Sequence, residues 1–566
     1  MKRYVIAILF LIPLLGLLTS CDKGETEIVA RIGNEKITAD EFREKLKQDY
    51  RNTDFKNLSL KEKRKSLEKL LDERRKLLKA IALGLDKDPD YAAYRKLYAD
   101  RVIALALYND LITNVILPER LLRQYYDWKK QKVKIALVRV GYKGVKIFNR
   151  DRSKEEAQAL ALDYLEQLKQ SNDPEKLALE LSDDKRNRPI LNPYPIGRFG
   201  YRIDSLVFTA NPGDMIGPEN TQQGFVVIKI LDKTETPLGK YETVKTEIAN
   251  IIRGYFRKKE MDMFQQYTNT FNEKYNVQYN EDEIERFMKI LKDWGNKKEH
   301  APSDFTPEER EIVLATISDE AITVNDFLNY LGPRIVRDYR KYRKPNDLKE
   351  GFLRSQLTVR AWAMEGRSRG YATHKSVQKD IHAFEISRLN QLLEEKEIKG
   401  RIEISDEELK AYYNSHKEKY KIPEKIHIWQ ICVHDKGKAK KVARLARAKN
   451  DFESLYRQYN KPHKGKKYPV NLGMQQKNSR YKEIATQAFK AGPHQIIGPV
   501  KIEGDYFIIK TGEYRPETIR PFEKVRSSVH SDVFNKKRAK RYEEFLNQLR
   551  KEYAFRVNDS VLRKIS

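Results

Sequence analysis

Apolar positions along this chain follow first a helical and then a strand-like spacing, and the whole progression occurs twice. Residues 29–36 read as a short strand and turn leading into a helix with Thr38 as N-cap and Glu41 three positions on, the spacing of a capping box. Leu67, Leu70, Leu71, Leu78 and Ile81 then share one face of a helix that Gly84 ends, and similar spacing runs over 94–117 before Pro118 opens a helix through Tyr126. The period then changes. Residues 133–140 predict a β-rich strand, 153–169 and 174–181 predict helices, and 225–231 predict a closing strand of β-branched residues. After Pro237 the spacing predicts a long helix over 244–272 and a strand at 275–279.

The repeat is a whole unit. Ala30 to Phe42, with Ile32, Ile37 and Thr38, returns as Ala315 to Phe327, with Ile317, Ile322 and Thr323, at an offset of 285. Gly84-Leu85 returns as Gly370-Tyr371 at 286 and Tyr125-Tyr126 as Tyr412-Tyr413 at 287. The stretch from Phe208 to Gly217-Pro218 returns as Phe489 to Gly498-Pro499, and Tyr241 to Val244 as Phe522 to Val525, both at 281. Chance matches scatter in offset, whereas these keep order and spacing, so each copy is expected to share one fold. The polar stretch 292–307, with Gly295, Pro302 and Pro307, reads as the link between copies.

Length and composition sharpen this picture. At 566 residues the chain exceeds a single core, and with 40% hydrophobic residues in periodic array it lies outside the disordered class. Its formal charge is +29, and leaving out the first twenty residues removes only Lys2 and Arg3, so +27 remains. Such an excess attracts polyanions, and the compartment decides which. Lys2 and Arg3, an apolar run over 5–18 and then Leu18-Thr19-Ser20-Cys21 resemble a lipoprotein signal, too short for a membrane span of roughly 20 residues. The expectation is a signal at 1–20, lipidation at Cys21, and a chain tethered in the bacterial cell envelope facing the periplasm, with inner or outer membrane left open. Export argues against nucleic acid as the partner of the basic stretches 436–449 and 536–541; solvated helix faces near an anionic membrane are the reading preferred. Cys21 and Cys432 are the only cysteines, so an acylated Cys21 leaves no intramolecular disulfide, and Cys432 is expected to be a buried strand residue. His427 and His434 are not spaced as a metal pair, and no metal or cofactor is expected.

Two stretches carry a family resemblance. Phe208-Thr-Ala-Asn-Pro-Gly213-Asp-Met-Ile-Gly217-Pro218 followed by Gly224 to Lys229, and Phe489-Lys-Ala-Gly492-Pro-His-Gln-Ile-Ile-Gly498-Pro499 followed by Asp505 to Lys510, are similar to the parvulin-type prolyl isomerase domain. The strand-turn-helix entries and the Tyr-Tyr helices before them resemble the SurA and PrsA foldases. The resemblance implies an α+β, multidomain chain in which helical SurA-like chaperone segments alternate with two parvulin-like domains. The divisions it implies are helical at 21–130, parvulin-like at 131–236, terminal helix and strand at 237–291 and linker at 292–314. The second copy follows as helical at 315–425, parvulin-like at 426–515 and terminal helix and strand at 516–566.

The same alignment shows departures. The family's histidine positions fall on Leu137 and Val226 in one copy and on Gln430 and Phe507 in the other. Its proline pocket maps to Phe199, Ile203 and Phe208, with Thr221 as the nearest hydroxyl, and to Met474, Ile484 and Phe489. Prolyl isomerisation rotates a partial double bond against a barrier of roughly 20 kcal/mol and breaks no covalent bond, so it needs a dry pocket and donors to the twisted amide. A pocket without polar partners binds proline and turns it over poorly, hence the expectation of degenerate sites. Two function classes follow. One is a foldase or holdase for unfolded, extended client polypeptides in transit to the outer membrane; the other is a structural lipoprotein subunit of an assembly or secretion complex. The sequence leaves the oligomeric state open.

Overall fold

A computed structural model describes residues 27–50, 57–145, 149–184, 190–296, 301–449, 451–461 and 468–565. The signal stretch 1–20 and Cys21 lie outside the described residues. In the first copy, β1 (Ile28–Ile32) and β2 (Glu35–Thr38) precede helices at Ala39–Asp49, Leu60–Ala82, Pro89–Tyr108 and Glu119–Lys129. Then come β3 (Gln131–Val140), helices Lys154–Gln170 and Pro174–Leu181, β4 (Ile190–Leu191) and helix Tyr201–Thr209. β5 (Met215–Thr221), β6 (Gly224–Glu235), helix Tyr241–Lys274 and β7 (Gln278–Tyr279) close the copy.

The second copy repeats the order. β8 (Val313–Ile317) and β9 (Glu320–Thr323) lead into helices that include Val324–Leu331, Arg354–Ser368, Lys375–Glu397 and Asp406–Ser415. β10 (Lys421–Ile422), β11 (Lys425–Val433), helices Lys436–Lys449 and Phe452–Tyr459, β12 (Asn471–Gln475) and helix Lys482–Ala491 follow. β13 (Ile496–Ile502), β14 (Asp505–Arg515), β15 (Thr518–Ile519), helix Phe522–Glu552 and β16 (Phe555–Val557) complete it. The two larger sheets have equivalent antiparallel orders, β4-β3-β6-β5 and β12-β11-β14-β13. The architecture is multidomain α+β.

Local signals explain many of the boundaries. The Thr38 hydroxyl accepts the Glu41 N–H at 3.2 Å, as an N-cap should, but the Glu41 carboxylate turns to Arg74 instead of closing a capping box. Leu67, Leu70 and Leu71 are buried as their spacing requires, whereas Ile81 is 44% exposed: it sits in the last turn, beyond the core that holds the other leucines. The helix read over 94–117 begins at Pro89, capped by Asp88, and widens into a π-turn at Asn109–Thr113. Across 292–307, Trp294 packs on Phe305 at 5.3 Å and donates to the Ala301 carbonyl, so this stretch carries core residues besides connecting the copies.

The chain forms two compact units that cut across the duplication: Asp86–Arg388 lies in one, and Glu25–Leu85 with Leu389–Ser566 makes the other. In the first unit, β7 at the end of the first copy pairs with β8 of the second, giving the order β7-β8-β9. In the other, β16 at the end of the second copy pairs with β1 of the first, with Ala30 opposite Val557. The family resemblance implies that the terminal helix of the first copy returns to pack on that copy's helical part. The Tyr241–Lys274 helix does pack on Glu119–Lys129 of its own copy, and also on Arg354–Ser368 of the other, while the strands are exchanged. A two-stranded hairpin is marginal alone and gains from a third strand. Because the two hairpins are near-repeats in sequence, either terminal strand matches either hairpin, and only the assembled chain decides.

The helical cores differ in kind. Trp362 is fully buried among Phe264, Phe271, Tyr267 and Tyr108 in the first unit, its indole N–H donating to Thr268 at 3.0 Å. In the other unit, Leu60–Ala82 meets Phe522–Glu552 largely through ion pairs, Arg550 to Asp72 at 2.6 Å and Lys79 to Glu552 at 3.0 Å.

Candidate functional site

In each larger sheet the two central strands offer one face to a single short helix, Tyr201–Thr209 in the first copy and Lys482–Ala491 in the second. Alternation along β3 and β6 puts Val133, Ile135, Leu137, Val226, Ile228 and Ile230 on that face. Ala136, Val138, Phe225 and Val227 go to the opposite face. Along β11 and β14 it puts Ile426, Ile428, Cys432, Phe507 and Ile509 there, and alternation places Gln430 with them. Two glycines bring the edge strands in close: Gly217 at φ 103° and Gly498 at φ 112° each lie where a Cβ would collide with a carbonyl oxygen, that of Val226 or of Phe507.

The first copy's face is covered. Leu137, Val226, Ile203 and Phe208 belong to one continuous core with Leu122, Tyr125 and Trp128 and with Ile248 and Ile252 of the Tyr241–Lys274 helix. Trp128 stacks on Phe208 at 5.6 Å, and Tyr125 lies 6.3 Å from Tyr201 and 6.1 Å from Tyr255. Tyr201 also meets Phe256 at 6.1 Å. At the centre Asp204, fully buried, accepts from the hydroxyls of Tyr194 (2.7 Å) and Tyr255 and from the Gly197 N–H (2.9 Å). Burial raises this carboxyl above its ordinary value although the three donors pull the other way, and burial beside it pushes both phenols upward. Arg139, 2% exposed, pairs with Asp184 and lies over the Phe199 ring at 5.2 Å.

The second copy's face ends at a rim. Ile484, Ala485, Ala488 and Phe507 are buried, but Phe489, Tyr468, Tyr481, Ile497 and Val500 around them are only half-buried. The adjoining helices keep a separate core of Leu409, Tyr420, Val525, Val529 and Val533. Tyr468 meets the Phe507 ring edge-on at 5.2 Å, and Lys477 lies over the Phe489 ring at 5.2 Å. Gln430 is fully buried; its Nε2 donates to the Pro469 carbonyl at 3.0 Å, and among the described residues its Oε1 has no partner.

Matching positions show why only one face is covered. At the repeat offsets Trp128 corresponds to Ser415, Tyr201 to Lys482, Asp204 to Ala485, Tyr255 to Lys536 and Phe256 to Lys537. The Tyr125–Tyr255 contact becomes Lys536 over the Tyr412 ring at 5.9 Å, and Lys537 turns to Glu408 at 2.6 Å. Polar and cationic side chains thus stand where the first copy has an aromatic seal.

The sequence-predicted residues divide accordingly. Ile203 and Phe208 meet Leu137 and Val226, and Ile484 and Phe489 meet Phe507. Thr221 does not join: its hydroxyl donates to the Gly224 carbonyl at 2.7 Å and accepts the Gln223 N–H, which is turn chemistry. Nor does Met474, which pairs with His427 and so shares the face opposite Ile426 and Ile428. Phe199 lies between Arg139 and Arg198 beside Tyr194. Cys432 is a fully buried strand residue, and His427 and His434 contact Asn471 and Asp505 through single ring nitrogens. Asp204, Trp128 and Tyr255 were missed; the one available signal was that these residues change character between otherwise repeating copies. Among the described residues no histidine lies on either face, and the apolar lining suits the sequestering of apolar or prolyl side chains.

Comparison with known proteins places residues 142–232 and 404–527 in two matches to the PPIC-type PPIASE domain. The second span includes Gln430, Ile484, Phe489 and Phe507; the first includes Val226, while Leu137 precedes it. The chain is 29% identical over 148 residues to a foldase protein PrsA of Caldanaerobacter subterraneus, which covers 26% of this chain and 46% of that one. It is 31% identical over 147 residues to foldase protein PrsA 1 of Bacillus cereus, covering 26% of this chain and 47% of the other. It is also 27% identical over 135 residues to the periplasmic chaperone PpiD of Haemophilus ducreyi, covering 24% and 22%. The chain therefore spans about half the length of the PrsA relatives it matches. A solved structure of SurA-like chaperones from Campylobacter jejuni aligns with a TM-score of 0.35 at 18% identity, covering 42% of this chain and 96% of that one.

Proposed function

We propose that this chain, which carries two parvulin-type domains of the SurA/PrsA-like foldase class, is a cell-envelope chaperone that holds unfolded exported polypeptides on the face of its second parvulin-type domain. The observation that carries the reading is the contrast between the two faces: one is covered by the buried Trp128 and Tyr125 with the half-buried Tyr255 beside them, and the other keeps a half-buried aromatic rim at Phe489, Tyr468 and Tyr481. A shallow apolar face with aromatic edges suits extended, proline-containing segments, because it takes up a ring without demanding a particular sequence around it.

Turnover of prolyl bonds is weak or absent in this reading. Rotation is accelerated by donors that meet the twisted amide more strongly than the planar one. Leu137, Val226 and Phe507 offer none, and Gln430, fully buried, gives one of its two amide N–H groups to the Pro469 carbonyl. Lipidation at Cys21 would hold the chaperone at the membrane where exported clients emerge, and outer-membrane proteins are the client class proposed. Two assays on the full chain test this together: suppression of aggregation of an unfolded outer-membrane protein, and isomerisation of a prolyl peptide. We expect clear suppression with turnover near the uncatalysed rate. Absence of suppression would sink the chaperone reading, and robust turnover would sink the claim of degenerate sites.

A further inference from the structure

The helix after β11, Lys436–Lys449, has its counterpart after β3 in Lys154–Gln170. Both pack on the sheet face opposite the candidate site, one through Ala157, Ala161 and Leu168, the other through Ala439, Val442, Ala443 and Ala446. Their solvent faces differ in sign. The first carries Lys154 and Lys169 against Glu155, Glu156, Asp163 and Glu166. The second reads KGKAKKVARLARAK, seven cations and no carboxylate. Since the fold accepts an acidic helix at this position, the positive charge is not a requirement of packing. Arg447 has a structural task, donating to the Ile496 and Gly498 carbonyls. Lys436, Lys438, Lys440, Lys441 and Arg444 do not: all are exposed, and no carboxylate lies within ion-pair distance of them among the described residues.

We propose that this face docks the second parvulin-type domain on an anionic phospholipid bilayer. Protein partners are held by buried aromatic or aliphatic anchors inside a polar rim, and this helix exposes no large apolar side chain. A row of flexible cations without an apolar anchor matches laterally mobile phosphate headgroups instead. A lipid on Cys21, the expectation from the sequence, joined to a polybasic face is a two-signal arrangement that makes membrane attachment stable. The basic helix lies across the sheet from the candidate client face, so docking leaves that face uncovered. The inference goes beyond the chaperone reading and does not depend on it.

The test is co-flotation of the full chain with vesicles of phosphatidylcholine alone or mixed with phosphatidylglycerol, at low and high salt. A lipid anchor at Cys21 contributes to both vesicle types, so the ratio reports the helix. We expect at least about a tenfold preference for the anionic vesicles, lost at high salt. It should also be lost on combining Lys438→Glu, Lys440→Glu, Lys441→Glu and Arg444→Glu. A second variant with glutamine at the same four positions, which removes charge without reversing it and leaves the packing face intact, should lose the preference too. Equal binding to both vesicle types, retention of the preference by the glutamine variant, or tighter binding to polyglutamate than to anionic vesicles would overturn the proposal, the last in favour of an acidic polypeptide.

Discussion

The two parvulin-type sheets share strand order, the glycine under the edge strand and the Tyr-Tyr helix that precedes them, yet one buries its helix-bearing face and the other leaves it rimmed. The shared parts even make the same contacts. Tyr126 donates to the Gly239 carbonyl and packs edge-on against Tyr241; Tyr413 donates to the Arg520 carbonyl and packs edge-on against Phe522. Above the sheet the copies differ at Trp128, Tyr201, Asp204, Tyr255 and Phe256 against Ser415, Lys482, Ala485, Lys536 and Lys537. A duplicated scaffold has therefore separated its two domains by changing what the face meets while keeping how the face is built.

The largest effect should come from removing the seal. Trp128, 4% exposed, stacks on Phe208, so Trp128→Ala is expected to cost the Asp86–Arg388 unit about 3–5 kcal/mol, whereas Ser415→Ala at the matching exposed position should stay within about 0.5 kcal/mol. Denaturation followed by hydrogen exchange in each unit measures both; equal costs would mean that the two faces are sealed alike.

Next in size is Asp204. Asp204→Ala leaves two phenol hydroxyls and a backbone N–H without their acceptor and is expected to cost about 3 kcal/mol. The carboxyl also carries a pH signature. Because its folded value is raised, its contribution is full below the unfolded value of 3.8 and is lost as pH rises through the folded value. The stability difference between the native chain and Asp204→Asn should therefore fall as pH rises from 3.8. A difference that grows over that range would reverse the assigned sign. The second domain, with Ala485 at this place, has no such carboxyl to titrate.

The smallest change in stability should have the clearest effect on binding. Phe489 is half-buried at the rim, so Phe489→Ala is expected to cost only about 1 kcal/mol in stability but to weaken binding of a proline-containing peptide about tenfold. Phe208→Ala, behind the seal, should leave peptide affinity unchanged. Fluorescence titration of both variants decides; loss of affinity in the Phe208 variant would show that the first face is open to clients after all.

Much of the fold was legible in the periodicity and the repeat. The strands at β3, β6, β11 and β14, the helices of each copy and the burial of Cys432 follow from alternation and spacing, which local sterics and burial impose directly. The candidate site was legible only in part. Ile203, Phe208, Ile484 and Phe489 could be placed by motif, but Thr221 was taken by its own turn and Met474 fell on the wrong face after a register shift in β12. A single-residue change of register inverts which face a side chain occupies, and nothing in the surrounding residues announces it.

What the amino-acid order determined by itself was the inventory: two copies of one unit and the element types within each. What only the tertiary structure decided was partnership. It settled that β16 completes the first hairpin and β7 the second, and that aromatic side chains far apart in sequence close over one sheet while lysines stand above the other. The reason is physical: element type is set by interactions a few residues long, whereas the choice among near-identical long-range partners depends on the summed packing of the whole chain.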